Sequence, residues 1–257
     1  HGLAAAFRAG GTFSEVRVAF WKEEPFLQHA FDLIEAAEVF VVPLFTSLGY
    51  FTERVLPREL GLDSPITERG GRRIHLCPAV GSHPAMARVV LDRAREAPIA
   101  SEAFADTTLI VLGHGTKEHE SSGSTTLAVV RRIVNEQVYG AVLPAFLDQA
   151  PTLRETLTAV RTRNVVVAPF FASEGWHVGT TIPRDLAATD APESGGPRIW
   201  YAKPAGTHPS LHEVVLELAG DAAERGVADA PVGAAPPPPL AQEAKSWFLE
   251  RIAEGPE

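Results

Sequence analysis

The chain has 257 residues, 45% of them hydrophobic, enough for one large or two ordinary domains with real cores. A net charge of −9 argues against nucleic acid and anionic membrane surfaces as partners. The single cysteine, Cys77, excludes an internal disulfide framework and any multi-cysteine zinc or iron–sulfur site, and its usage fits a cytoplasmic setting; no run approaches the ~18 apolar residues of a membrane span, and no signal-peptide pattern is seen.

Taken in chain order, residues 14–20 (Ser-Glu-Val-Arg-Val-Ala-Phe) alternate like a strand, and 25–38 read as a helix opened by Pro25. Residues 39–45 form a second strand that runs into Thr46-Ser47-Leu48-Gly49-Tyr50, and a helical stretch then stops near Leu60-Gly61. Residues 74–80 make a third strand, after which Gly81-Ser82-His83-Pro84 opens a helix to about Glu96. The unbroken apolar run Leu109-Ile110-Val111-Leu112 predicts a strand buried on both faces of a parallel sheet. It ends in Gly113-His114-Gly115-Thr116, where two glycines let the backbone turn tightly and leave an imidazole exposed at the carboxyl end of a strand. That is the edge at which open α/β sheets collect ligands.

The same order then returns. Val167-Ala168-Pro169-Phe170-Phe171-Ala172-Ser173-Glu174-Gly175-Trp176 matches Val41 to Tyr50, and Pro183-Arg184-Asp185-Leu186 matches Pro57-Arg58-Glu59-Leu60. The offset is a constant 126 residues (Pro43 to Pro169, Pro57 to Pro183), and it drops by one at His83 and His208, each followed by proline. His1-Gly2 has its counterpart in His114-Gly115. This is a tandem duplication of one β-α-β-α-β-α unit, which implies parallel sheets with right-handed crossovers. The expected fold class is α/β: two flavodoxin-like, doubly wound parallel-sheet domains facing each other across a cleft. Residues 1–104 form an N-terminal lobe with a degenerate site, 105–227 a C-terminal lobe with the working site, and 228–257 a Pro-rich linker with a short helix bearing Trp247, Phe248 and Ile252 on one side. A strand upstream of His1 and a longer parent polypeptide are expected.

Comparison of the halves points to the site. His114, Asp148 and His177 all follow strands of the second half, so parallel pairing brings two imidazoles and a carboxylate to one edge, a plausible open site for a divalent metal. Their counterparts in the first half are His1, Lys22 and Phe51. An ammonium repels a cation and a phenyl ring cannot ligate it, so one working site is expected, in the second half. His83 and His208 recur independently of that contrast and read as structural helix-entry residues.

The Gly-His-Gly-Thr turn, the Ala145-Phe146-Leu147-Asp148 segment before Pro151, and Val165 to His177 followed by Ile182-Pro183 together resemble the sirohydrochlorin cobaltochelatase/ferrochelatase family, the class II tetrapyrrole chelatases. The likeness spans about residues 1–225. It implies a metallochelatase, a lyase in which two α/β lobes enclose the macrocycle and paired histidines, here His114 and His177, hold the incoming metal. A glutamate is common in the family where this chain has Asp148, which leaves that residue as metal ligand or proton acceptor. The metal, Co²⁺ in preference to Fe²⁺, is then a substrate, the tetrapyrrole its acceptor, cobalamin or siroheme the end product, and no organic cofactor is needed.

An acidic protein repels a polycarboxylate at long range, so local groups must seat it. Arg184 and Arg58 are the cationic candidates, against a plain helix-surface role for the arginine of the repeated Pro-Arg-acid-Leu, and Lys117 is a further one. Thr116 is another contact, and Trp176 and Phe171 could stack on the ring, with core packing the preferred reading. Two other readings compete. One is a non-catalytic, chelatase-derived carrier or sensor of tetrapyrrole or metal. The other is a hydrolase with Thr116 or Ser173 as nucleophile, against which stands the lack of a Gly-x-Ser-x-Gly elbow.

Overall fold

The computed structural model describes residues 1–32, 34–116, 123–187 and 196–227. Helix α1 (Gly2–Gly10) buries Ala4 and Phe7 and ends on Gly11 in the left-handed conformation, a common helix stop. Residues 14–20 do not form the expected strand. The Glu15 carboxylate accepts the N–H groups of Glu35 and Ala36, and the Arg8 guanidinium donates to the Val16 carbonyl. Side chains hold the start of this segment, and at its end Phe20 makes only an isolated parallel bridge to Phe26.

Strand β1 (Glu38–Val41) is followed by a π-helical turn (Phe51–Val55), helix α2 (Leu56–Leu60), and the strands β2 (Ile66–Arg69) and β3 (Arg72–Leu76). The sheet order is β1-β3-β2, with β1 and β3 parallel and β2 antiparallel to β3. The hairpin replaces the single strand expected at 74–80. Gly70 and Gly71, with φ of 59° and 75°, supply the two positive-φ positions of a tight hairpin turn. Val39 and Ile74 meet Phe31, Leu56, Leu60 and Leu62 in one buried cluster.

Helix α3 (Met86–Arg95) fits the predicted helix to about Glu96. Then come β4 (Thr107–Gly113), α4 (Ser124–Glu136), β5 (Ala141–Phe146), α5 (Leu153–Ala159), β6 (Asn164–Pro169), a second π-helical turn (His177–Thr181), α6 (Ile182–Ala187), β7 (Arg198–Tyr201) and α7 (Leu211–Val227). Strands β5-β4-β6-β7 lie in that order and all run parallel. Every residue of β4 is buried, as the unbroken apolar run requires. Ile110, Leu112, Val165 and Val167 pack under Leu153 and Leu157 of α5 and Ile182 and Leu186 of α6. Helices α3 and α4 pack together, α3 against β6 and α4 against β4 and β5.

The predicted helix at 25–38 shrinks to one 3₁₀ turn, Leu27–His29. Its counterpart α5 has a capping box: Thr152 accepts from the Glu155 N–H, and the Glu155 carboxylate accepts from the Thr152 N–H. At the equivalent positions the first half has Phe26 and His29, which cannot cap in this way. Both halves share a cis proline peptide, Glu24–Pro25 and Ala150–Pro151.

The described residues divide into two compact units that are discontinuous in sequence: 1–44, 48–83 and 209–227 in one, 45–47 and 84–208 in the other. Helix α7, the last of the second repeat, thus belongs to the first unit, where it packs on β3 and α1. Helix α3, the last of the first repeat, belongs to the second. His83 and His208 stand where the chain passes between units. Each lies 3.6 Å from a glutamate of its own unit, Glu217 and Glu96 respectively. No helix among the described residues is long and apolar enough to cross a membrane. Residues 228–257, Lys117 and His119 lie outside the described part.

Candidate metal centre at the carboxyl edge of the second sheet

The parallel ladders decide where the candidate residues go. Gly113 of β4 stands opposite Phe146 of β5, and Leu112 stands opposite Pro169 of β6. The loops that follow these three strands therefore leave the sheet at the same edge. Beyond the regular ladder, the N–H of Leu147 bonds to the carbonyls of Gly113 and His114, and the N–H of Asp148 bonds to His114 at 3.0 Å. Asp148 is thereby fixed beside His114. Helix α4, after β4, and helix α6, after β6, cover opposite faces, so the loop with His114 and the turn with His177 part at the switch point of the sheet. Open α/β sheets bind ligands in such a crevice.

Two side chains constrain the His114 loop. Gly115 has a φ of 69°, and a Cβ there would run into Gln149. Gln149 also accepts a hydrogen bond from the Thr116 N–H at 3.1 Å. A Cβ on Gly113 would strike Thr126 of α4, so the strand and helix approach closely only because that residue is glycine.

The imidazole of His114 has Nδ1 at 3.0 Å from the Gly115 carbonyl and 3.3 Å from the Asp148 carboxylate. With the proton on Nδ1, both contacts are donations and the lone pair of Nε2 faces outward, the arrangement in which a carboxylate orients a metal-binding histidine. The ring of His177 stands nearly perpendicular to that of His114, at 5.4 Å between centroids, and Phe171 lies at 6.1 Å. Both histidines and Asp148 are exposed. Among the described residues, no group of three or more His, Cys, Asp or Glu is placed to hold a metal ion, so the arrangement is an open pair and not a closed cage.

The other candidates are more dispersed. Trp176, immediately before His177, is 74% exposed and is not a core residue. Phe171 is half-buried against the apolar cluster. Arg184 is exposed and lies beside Asp185, while Arg58 belongs to the first unit and pairs with Glu59 at 2.9 Å. Two polar residues at this edge are absent from the sequence-based candidates: Gln149, and Tyr201, whose hydroxyl donates to the Val178 carbonyl at 2.9 Å. Aligning the repeats offers a signal for both, since their counterparts are Glu23 and Leu76.

The first unit differs at the corresponding positions. Phe51 opens its π-helical turn where the second unit has His177, and it packs edge-on against Trp21 at 5.2 Å. The His1 ring lies 5.2 Å from Phe20, and Lys22 stands where Asp148 would.

The CbiX family profile matches residues 1–97 and again 108–222, one match for each repeat. The chain belongs to the CbiX family. Among its relatives is a probable sirohydrochlorin cobaltochelatase of Halobacterium salinarum, 37% identical over 255 residues, an alignment covering 90% of this chain and 85% of that one. In three dimensions this CbiX-family chain is similar to a multi-domain protein of Deinococcus radiodurans described as chelatase-like with two additional domains. That likeness has a TM-score of 0.76 at 28% identity and covers 86% of this chain. The chain spans half the length of the Deinococcus protein. The sirohydrochlorin chelatase SirB of Bacillus subtilis subspecies spizizenii, solved with cobalt, shares the fold at a TM-score of 0.67 and 16% identity, over 87% of each chain.

Proposed function

We propose that this chain is a metallochelatase that inserts a divalent metal, Co²⁺ in preference to Fe²⁺, into sirohydrochlorin or a closely related tetrapyrrole, a step toward cobalamin or siroheme in the cytoplasm. The observation that carries the reading is the pairing of His114 and His177 at the switch point of a parallel sheet, with Asp148 on the inner nitrogen of His114. The Halobacterium relative supports the choice of substrate and metal.

The chemistry asks for a metal held firmly enough to be presented and loosely enough to leave. Two neutral imidazoles bind borderline divalent ions and leave other positions open for exchange. Insertion releases two pyrrole protons. The Asp148 carboxylate can take one, directly or through His114 once the metal has left its Nε2, and the other passes to water at this exposed edge. In this reading Asp148 acts from behind His114 more than as a third ligand. Fixing metal and ring together supplies much of the acceleration by proximity. Trp176, exposed beside His177, offers an indole face for the macrocycle; Thr116 and Arg184 are the remaining contacts for its carboxylates.

The test is anaerobic absorbance of sirohydrochlorin with Co²⁺ and with Fe²⁺, for the native chain, His114→Ala and His177→Ala. Insertion faster than the spontaneous rate, lost in both variants, is the expected result, and the faster metal gives the preference. Spectral change from pigment binding without faster insertion would replace the enzyme with a carrier.

A further inference from the structure

We infer that Tyr201 is a positioning residue for His177, acting through the carbonyl of Val178; the inference rests on the metal-holding role proposed above for His177. The argument begins with the wide turn that carries the histidine. In the π-helical segment His177–Thr181, the N–H of Ile182 reaches back to the carbonyl of His177, five residues earlier. The next bond of that pattern would run from residue 183 to Val178. Residue 183 is proline and has no N–H to give. Val178 is 6% exposed, and a buried carbonyl needs a partner from the protein. Tyr201, on the neighbouring edge strand β7, supplies it with its hydroxyl at 2.9 Å. A phenol is protonated at neutral pH in any case, so the hydroxyl is a donor there.

The internal repeat provides a control. The first unit has the same turn, Phe51–Val55, closed by the N–H of Leu56 onto Phe51, and the same proline two residues after the turn, Pro57. In the first unit, Leu76 of β3 is opposite Val41 of β1; in the second, Tyr201 of β7 is opposite the counterpart Val167 of β6. The register is the same and the hydroxyl is missing. The residue equivalent to Val178 is Thr52, which is half-exposed. The tyrosine thus occurs in the unit whose turn begins with a histidine, and leucine in the unit whose turn begins with Phe51. A bond one residue from His177 fixes the turn's winding, and with it the 5.4 Å spacing of the two rings.

Tyr201→Phe removes the hydroxyl and leaves the ring packed on the apolar cluster of the second unit. Co²⁺ titration of the full chain, read by the visible absorption of the bound ion, should show affinity reduced about tenfold, the lower end for outer-sphere partners of metal ligands. The absorption band should move, and thermal unfolding should stay close to native. In a His177→Ala background the same substitution should have no further effect on affinity. Native-like affinity in Tyr201→Phe would overturn the inference, and so would an undiminished loss in the His177→Ala background, which would make Tyr201 a purely structural residue. If His177→Ala alone binds Co²⁺ as tightly as the native chain, the metal-holding role itself fails and the inference falls with it. Should Tyr201→Phe fold poorly, Tyr201→Leu, the residue of the other repeat, is read in the same cycle with the same expected outcomes.

Discussion

An imidazole that donates from Nδ1 is committed to presenting Nε2, and Asp148 enforces that commitment on His114. The negative charge also makes the imidazole a better donor to a cation. Asp148→Asn keeps an acceptor for the ring N–H and removes the charge, so it separates orientation from electrostatics. We expect its Co²⁺ affinity, measured by titration, to fall about tenfold, with Asp148→Ala falling further. That His114 and Asp148 share an edge was legible in the sequence, because parallel pairing alone carries the loops after β4 and β5 to the same side; the contact through Nδ1 was not. For Gln149 and Tyr201 the sequence offers a difference between the repeats and no role, because each acts on a backbone group, an N–H or a carbonyl, whose need for a partner is visible only once the turn has its shape. Trp176 shows the converse: a tryptophan between a strand and a helix suggests core, yet the wide turn leaves it in solvent.

At the scale of elements, the duplication separates sequence pattern from structural outcome. Residues 14–20 alternate like a strand and remain unpaired in a ladder because Glu15 and Arg8 hold them by their side chains. Periodicity reports a face, not a partner. The segments 27–29 and 153–159 occupy equivalent places, and the one with a Thr–Glu capping box becomes an α-helix. Thr152→Ala should therefore cost roughly 1 kcal/mol, read as a lower urea midpoint, with the loss concentrated in α5. The central strand β4 was legible from four consecutive apolar residues, since burial on both faces requires such a run. The β2–β3 hairpin was signalled by Gly70-Gly71 alone, and the π-helical turns by nothing that composition or spacing records.

For the molecule as a whole, the compact units and the repeats do not coincide, since α7 completes the unit of the first repeat. Cys77 lies under this helix, its thiol 3.6 Å from the Leu218 carbonyl. Burial pushes the thiol up to about 11, partly offset by Arg225. In the unfolded chain it titrates near 8.5. Below that pH its contribution to stability is complete; as pH rises from there toward about 11 the unfolded chain loses the proton first, and stability falls. Urea unfolding at about pH 8 and about pH 10 should show this decline. Tyr139 and Tyr201, both raised to about 12 by burial, add a decline of the same sign that sets in at about pH 10 and reaches the upper end of that comparison, so Cys77→Val lessens the decline without removing it.

The unequal halves carry one more consequence. The first repeat has kept the cis proline, the wide turn and the helix-opening proline, and has exchanged an imidazole, a carboxylate and a phenol for a phenyl ring, an ammonium and an alkyl group. The turns recur in both copies, and the proposed metal-holding set is complete in the second. The shared prolines and turns mark the common scaffold, the histidine pair His1 and His114 is shared as well, and the copies part at the groups that would surround it. A chain that contains its own relative in this way serves as its own alignment.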